Sequence, residues 1–256
     1  MVGLLFRVVA YVLLVLAKVL LALMYHFFKF RLALVNMLIA GVDEAGRGCV
    51  VGPLVVAGVA VESAQLPLLT KLGVKDSKLL TPKKREELYF EITKLTQTYK
   101  TIKLMPSQID HAVNSLRTLH KLNRLEAQTM AQVIEALKPD EVYVDAADVL
   151  EYRFRNHIKE CLTIKTKIIS KHKADLIYPI VGAASIIAKV ERDREVAILR
   201  ESYGDFGSGY LTDPKTQRFI AEWLKTNSQY PACIRKSWKP AKKALNERGT
   251  TQQKLA

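Results

Sequence analysis

Asp43 and Glu44 stand side by side at the end of the apolar run Leu38-Ile39-Ala40-Gly41-Val42, and Gly46-Arg47-Gly48 follows at once. Asp145 closes a second run, Glu141-Val142-Tyr143-Val144. Asp175 lies beyond a third, where Ile168-Ile169-Ser170 has given way to a loop and the start of a helix. Carboxylates brought together repel, and their protons titrate as a set. A hard divalent cation relieves that repulsion; Mg²⁺ characteristically takes a few carboxylates together with phosphate oxygens and water. Two such ions about 4 Å apart support in-line displacement at phosphorus. The implied chemistry is hydrolysis of a phosphodiester. A Walker B reading of "LIAGVDEA" fails, because the chain has no GxxxxGK[ST] loop. Neighbours on a strand point to opposite faces, so Asp43 and Glu44 are expected to share a site only if the strand ends or twists there; Gly46 and Gly48 make such an end feasible.

These acids need a scaffold with strand ends at one rim. Leu38–Val42 and the Val-rich stretch Cys49–Glu62, broken by Gly52-Pro53 and Gly58, predict an antiparallel hairpin or meander. "TPKKREELYFEITKLTQTY" predicts a helix with Thr81 as N-cap and Pro82 at its first position, presenting Leu88, Ile92 and Leu95. A longer helix is expected from about 116 to 137, with Leu119, Leu122, Met130, Val133 and Leu137 facing the core. "EVYVD" and "TIKTKIIS" read as strands. Leu176–Glu201 reads as a long helix with Pro179 in its first turn, and Asp213-Pro214 opens another. Strands interleaved with helices imply an α/β sheet, and the closing helices a smaller helical subdomain. The expected division is a leader at 1–37, a catalytic domain at 38–200, a helical subdomain at 201–246 and a polar tail at 247–256.

Lysine and arginine number 39 against 25 acids among 256 residues, a net charge of +14. That excess favours a polyanionic partner, nucleic acid or an anionic membrane surface. The three cysteines are far apart with no CxxC pair, which argues against a disulfide framework or structural zinc and for a reducing compartment, the cytoplasm. Residues 1–37 stand apart. Val8–Phe28 has the roughly 20 apolar residues a membrane-spanning helix needs, although Lys18 near its centre costs about 3 kcal/mol on insertion scales. Two expectations follow: an anchor with the catalytic domain in the cytoplasm, or a start at Met37 that leaves the leader out of the working protein. Membrane contact is expected only if the leader is real. The leader holds four basic residues and no acid, so the remainder is basic either way.

"GVDEAGRG", "DSKLLTPKKRE", "VDAADV", "HKAD", "SIIAKVERDR" and "GSGYLTDP", in that order between about Leu38 and Lys243, together resemble ribonuclease HII, the type 2 ribonuclease H, of archaeal type. The resemblance implies an RNase H-like mixed sheet flanked by helices with a small C-terminal helical subdomain. It implies endonucleolytic cleavage of RNA in RNA–DNA hybrids and 5′ of a lone ribonucleotide in duplex DNA, leaving a 3′-hydroxyl and a 5′-phosphate. It puts Asp43, Glu44, Asp145 and Asp175 at the family's carboxylates for two ions, Mg²⁺ or Mn²⁺; Asp148 is the rival to Asp145. Cleavage confined to ribonucleotides requires sensing a 2′-hydroxyl, which the resemblance assigns to Gly46, Arg47 and Gly48, with Tyr210 packing on the next sugar. Ser185 and Lys189, one turn apart with Arg192 beyond, are expected at phosphates, as is Lys78. Arg235, Lys236, Lys239, Lys242 and Lys243 form a basic stretch suited to duplex backbone or to plain solvated surface, and His172, three residues before Asp175, is expected either to aid proton traffic or to serve a structural role. A non-catalytic nucleic-acid-binding domain of the same fold is the alternative, which predicts a lost acid; all four are present. The tail "TTQQKLA" has Gln252 and Leu255 at the spacing of a sliding-clamp peptide but lacks the two aromatics that should follow, which argues against clamp binding through it. A monomer is the simplest expectation.

Overall fold

Val, Ile and Ala dominate two stretches that pair as a hairpin. β1 (Leu38–Ala45) runs antiparallel to β2 (Leu54–Glu62), with Asp43 opposite Ala57 and Glu44 opposite Val56. The structure, a computed structural model, describes residues 2–35, 37–74, 80–96, 98–115 and 119–245. Ahead of β1 lies α1 (Val2–Val35). After β2 come a 3-10 turn (Ser63–Gln65), α2 (Leu66–Leu72), α3 (Pro82–Leu95), β3 (Thr98–Leu104), α4 (Pro106–Ser115), α5 (Lys121–Leu137), β4 (Glu141–Asp145) and α6 (Glu151–Cys161). The chain continues through β5 (Lys167–Lys171), α7 (Ala174–Ile177), α8 (Pro179–Tyr203) and α9 (Pro214–Thr226). The strands form one mixed sheet in the order β3-β2-β1-β4-β5. β1, β2 and β3 are antiparallel neighbours, whereas β1, β4 and β5 run parallel. This is the α/β sheet flanked by helices that the sequence implied.

Alternation along the strands divides the core. Ala45, Ala57, Val59 and Val61 face α3 and α8, and Ala40, Val42, Val56 and Ala60 face α5 and α6. The approach of α8 to β1 is close enough to require glycine: a Cβ on Gly41 would stand 2.3 Å from the carbonyl oxygen of Ile180. A third cluster gathers Val50 and Val51 with Val196, Phe206, Ile220, Leu224 and Ile234. α8 runs unbroken through position 200, where the sequence suggested a division.

The helix starts were legible. The Thr81 side chain accepts from the Lys84 N–H at 3.2 Å and Pro82 opens α3; the Asp213 side chain accepts from the Lys215 N–H at 2.9 Å ahead of Pro214. Pro179 begins α8. Other expectations need correction. α3 ends at Leu95 and the chain turns into β3, where a continued helix was expected through Tyr99. The helix expected from 116 begins at Lys121, and Leu119 is 81% exposed rather than a core residue. Met130, Val133 and Leu137 are buried as expected. In α1, Tyr11, Leu14, Leu20, Leu21 and Phe27 are exposed, and among the described residues no helix is long and apolar enough to cross a membrane.

Candidate active site

β1 does not end at its acids. It continues to Ala45, but its pairing with β4 stops at Val42–Val144, so a crevice opens between the two parallel strands beyond those residues. Asp43 and Asp145 are the next residue on each. Crevices at the carboxyl ends of parallel strands are where ligands bind in α/β sheets. The expected conflict between Asp43 and Glu44 is resolved without a strand end. Asp43 points to the α8 face, where Ser185 donates to it and Lys189 lies near. Glu44 points to the α5 face, towards Glu126. The cavity, about 390 Å³, wraps round the open rim and is lined from both sides. Its walls include Asp43, Glu44, Asp145, Asp175, Gly46, Arg47, Gly48, Lys189 and Tyr210. Asp175 enters from the first turn of α7.

Burial pushes the Asp43 carboxyl from 3.8 up to about 7; Lys189 opposes the rise and Asp145 adds to it. Burial, then repulsion from Asp43, holds Glu44 well above its ordinary value. Glu44 Oε2 is enclosed with no hydrogen-bond partner among the described residues. A buried, unpartnered carboxylate oxygen beside other acids is costly, and a divalent cation satisfies it. The oxygen-rich donor set fits Mg²⁺ or Mn²⁺. Among the described residues no three His, Cys, Asp or Glu side chains are drawn together tightly enough to grip an ion in their present rotamers. The acids take protein partners instead: Asp43 Oδ1 accepts from the Glu44 N–H at 2.7 Å and Asp145 Oδ1 from the Ala174 N–H at 2.9 Å. Mutual repulsion favours that dispersal.

The Gly46-Arg47-Gly48 turn forms the cavity's next wall. Gly46 has φ +84°, and a Cβ there would meet the Pro53 carbonyl at 2.7 Å. Arg47 is tied to α5, with Nε 2.9 Å from Glu126 Oε1 and Nη2 donating to Asn123 Oδ1 at 2.8 Å. Burial raises the Glu126 carboxyl to about 7 against the pull of Arg47. Tyr210 is half-buried beside Gly48, with the Arg192 guanidinium 5.3 Å from its ring centre. Arg85 and Asp193, paired at 3.1 Å, complete the rim.

Other expected site residues fall elsewhere. Ser185 is wholly buried; it accepts from Lys189 Nζ and donates to Asp43, a position that serves the acid rather than a phosphate. Lys78 lies outside the described residues. Asp148 is buried away from the cavity, where Arg153, Asn123 Nδ2 at 2.9 Å and the Leu150 N–H at 3.1 Å hold it well below the usual carboxylate range. Asp145 lines the cavity and Asp148 does not. His172 donates its backbone N–H to Glu151 and does not line the cavity. Lys236, Lys239, Lys242 and Lys243 are exposed. Arg235, grouped with them on sequence, is instead fully buried against the Gly46–Gly52 turn. Glu126, Asn123 and Arg235 were missed because each meets the site across more than 70 residues of chain.

Comparison with known proteins gives a consistent set of matches. The model of the family described as Ribonuclease HII matches residues 40–241. A ribonuclease HII of Pyrococcus abyssi is 45% identical over 209 residues, covering 81% of this chain and 91% of that protein. The crystal structure of ribonuclease H2 from Pyrococcus horikoshii OT3 aligns with a TM-score of 0.77 at 41% identity, covering 83% of this chain and 99% of that one. The ribonuclease HII of Archaeoglobus fulgidus, solved as a complex with PCNA, aligns at 0.72 with 44% identity, covering 79% and 96%.

Proposed function

The chain belongs to the ribonuclease HII family and is a ribonuclease H endonuclease acting on RNA–DNA hybrids; on that premise we propose that it also cuts 5′ of single ribonucleotides in duplex DNA, leaving a 3′-hydroxyl and a 5′-phosphate. The observation that carries this reading is the single cavity in which four carboxylates face a glycine-flanked turn and a half-buried tyrosine. Divalent-metal dependence is general in the family. Asp43, Glu44, Asp145 and Asp175 are the residues that would hold two ions, Mg²⁺ or Mn²⁺. Such ions supply activation of water and neutralisation of charge at the departing oxygen.

The chain's own groups position the substrate. Lys189, beside Asp43, places a positive charge where the scissile phosphate enters. Ser185 holds Asp43 in register through its hydroxyl. The turn Gly46-Arg47-Gly48 brings main-chain groups to the sugar, where side chains would block approach. Tyr210 offers a flat face to the neighbouring deoxyribose, against which a 2′-hydroxyl would crowd. Lys236, Lys239, Lys242 and Lys243 extend a basic surface for the duplex backbone.

A cytoplasmic monomer is the placement we propose. The alternative is a membrane-anchored form, decided by fractionating the native protein and sequencing its N-terminus by mass spectrometry. The PCNA complex belongs to the Archaeoglobus protein; the tail with Gln252 and Leu255 lies outside the described residues.

The test is a duplex carrying one ribonucleotide, incubated with Mg²⁺ or with EDTA, the cut mapped to the nucleotide. The expected result is a single metal-dependent break on the 5′ side. Cleavage elsewhere, or undiminished cleavage in EDTA, would overturn the proposal.

A further inference from the structure

Arg235 is a fully buried cation with no place in the chemistry above. Its guanidinium donates to three backbone carbonyls of the 46–52 turn: Nη2 to Gly46 at 2.7 Å, Nη1 to Arg47 at 2.9 Å and Nε to Gly52 at 3.1 Å. Nη2 also lies 3.1 Å from Cys49 Sγ, and the guanidinium centre is 4.9 Å from the Trp238 ring centroid. The backbone around it is clamped as well. The Arg235 N–H donates to Val50 at 2.8 Å, Gly52 N–H donates to Cys233 at 2.8 Å, and Val51 bridges Ile234.

Peptide planarity turns these contacts into a statement about the cavity. In a trans peptide unit the C=O of one residue and the N–H of the next point in opposite directions. Arg235 holds the Gly46 and Arg47 carbonyls inward. The N–H groups of Arg47 and Gly48 therefore point away from Arg235, and both residues line the cavity. Two successive amides presented to one concavity form an acceptor-binding nest. The three carbonyls are reached from three separate nitrogens held in one plane, a fixed fork that guanidinium supplies and that an ammonium, whose three donors radiate from one nitrogen, does not reproduce. The geometry points to Arg235 as the positioning residue for ribonucleotide specificity: by pinning the Gly46 and Arg47 carbonyls it aims the Arg47 and Gly48 amides at the substrate's 2′-hydroxyl oxygen. This inference rests on the proposed reading of the turn as the ribonucleotide sensor.

The test uses Arg235→Lys in the full chain, with Ca²⁺ present to limit turnover. Dissociation constants are measured for a duplex with one ribonucleotide and for the same duplex in all-DNA form. If wild type shows no preference, the sensor reading itself fails. If it does, the variant should lose about tenfold or more of the preference, as expected for two misaimed hydrogen bonds, with all-DNA affinity within twofold of wild type. A preference kept within twofold, or an equal loss on both duplexes, overturns the role assigned to Arg235. Should the variant fail to fold by circular dichroism, amide NMR of wild type labelled at arginine and glycine decides. Arg47 and Gly48 amide signals should shift on adding the ribonucleotide duplex and not the all-DNA duplex; identical responses to both overturn the inference.

Discussion

Replacing Asp43 by Asn should abolish cleavage and yet make the metal-free protein more stable at alkaline pH. The carboxyl titrates at about 7 in the fold against an ordinary 3.8, chiefly through burial. Between those values the folded state holds a proton that the unfolded chain has lost, so stability falls as pH rises through this window and levels off above it. Roughly three pH units correspond to about 4 kcal/mol at full strength. Loss of the attraction between Asp43 and Lys189 in the variant and relaxation of the site reduce this to about 2–4 kcal/mol. For a chain of this length the gain reads as roughly 5–15 °C in melting temperature. The assay is thermal unfolding in EDTA at pH 5 and pH 8.5, then with Mg²⁺ added. Wild type should melt lower at pH 8.5 than at pH 5 by more than the variant does, and Mg²⁺ should recover the difference in wild type alone. A variant that melts at or below wild type at pH 8.5 would refute the reasoning, because the acid would then be at ease in the fold without a cation.

Asp148→Ala should lower stability by about 3 kcal/mol, read by denaturant unfolding, because it strands the Arg153 and Asn123 contacts it now satisfies; the metal concentration needed for half-maximal activity should stay unchanged. Gly41→Ala should destabilise by roughly 2 kcal/mol or more, since its Cβ would meet the Ile180 backbone at 2.3 Å; a melting temperature equal to wild type would contradict the packing of α8 on β1. Arg47→Ala and Tyr210→Ala should each lower kcat/KM on a single embedded ribonucleotide at least about tenfold, in line with losing a charge-assisted contact or a packed ring. Unchanged rates for both would remove them from the recognition site.

What the sequence made legible was local. Pro82 after Thr81 and Pro214 after Asp213 mark helix starts because capping uses neighbouring residues. Asp43 and Asp145 could be placed at a rim because apolar strands run directly into them. β3 escaped notice because its polar side chains, Lys100, Thr101 and Lys103 among them, carry no core signal; it is an edge strand, held by the ladder to β2. The opening between β1 and β4 is a property of pairing, so Asp43 and Glu44 share a cavity from opposite faces in a way no single strand discloses. Arg235 reads as surface charge within "IRKSWKPAKK", and only the fold carries it beneath a turn more than 180 residues earlier.

The central claim is that Asp43, Glu44, Asp145 and Asp175 close on divalent ions at the β1–β4 rim. Anomalous diffraction from crystals of the full chain soaked in Mn²⁺ tests it most directly. The expected map has peaks in the cavity with carboxylate oxygens of Asp43 and Asp145 about 2.1–2.2 Å away. Manganese bound elsewhere, with these acids still dispersed onto their protein partners in crystals that cleave hybrid, would contradict it.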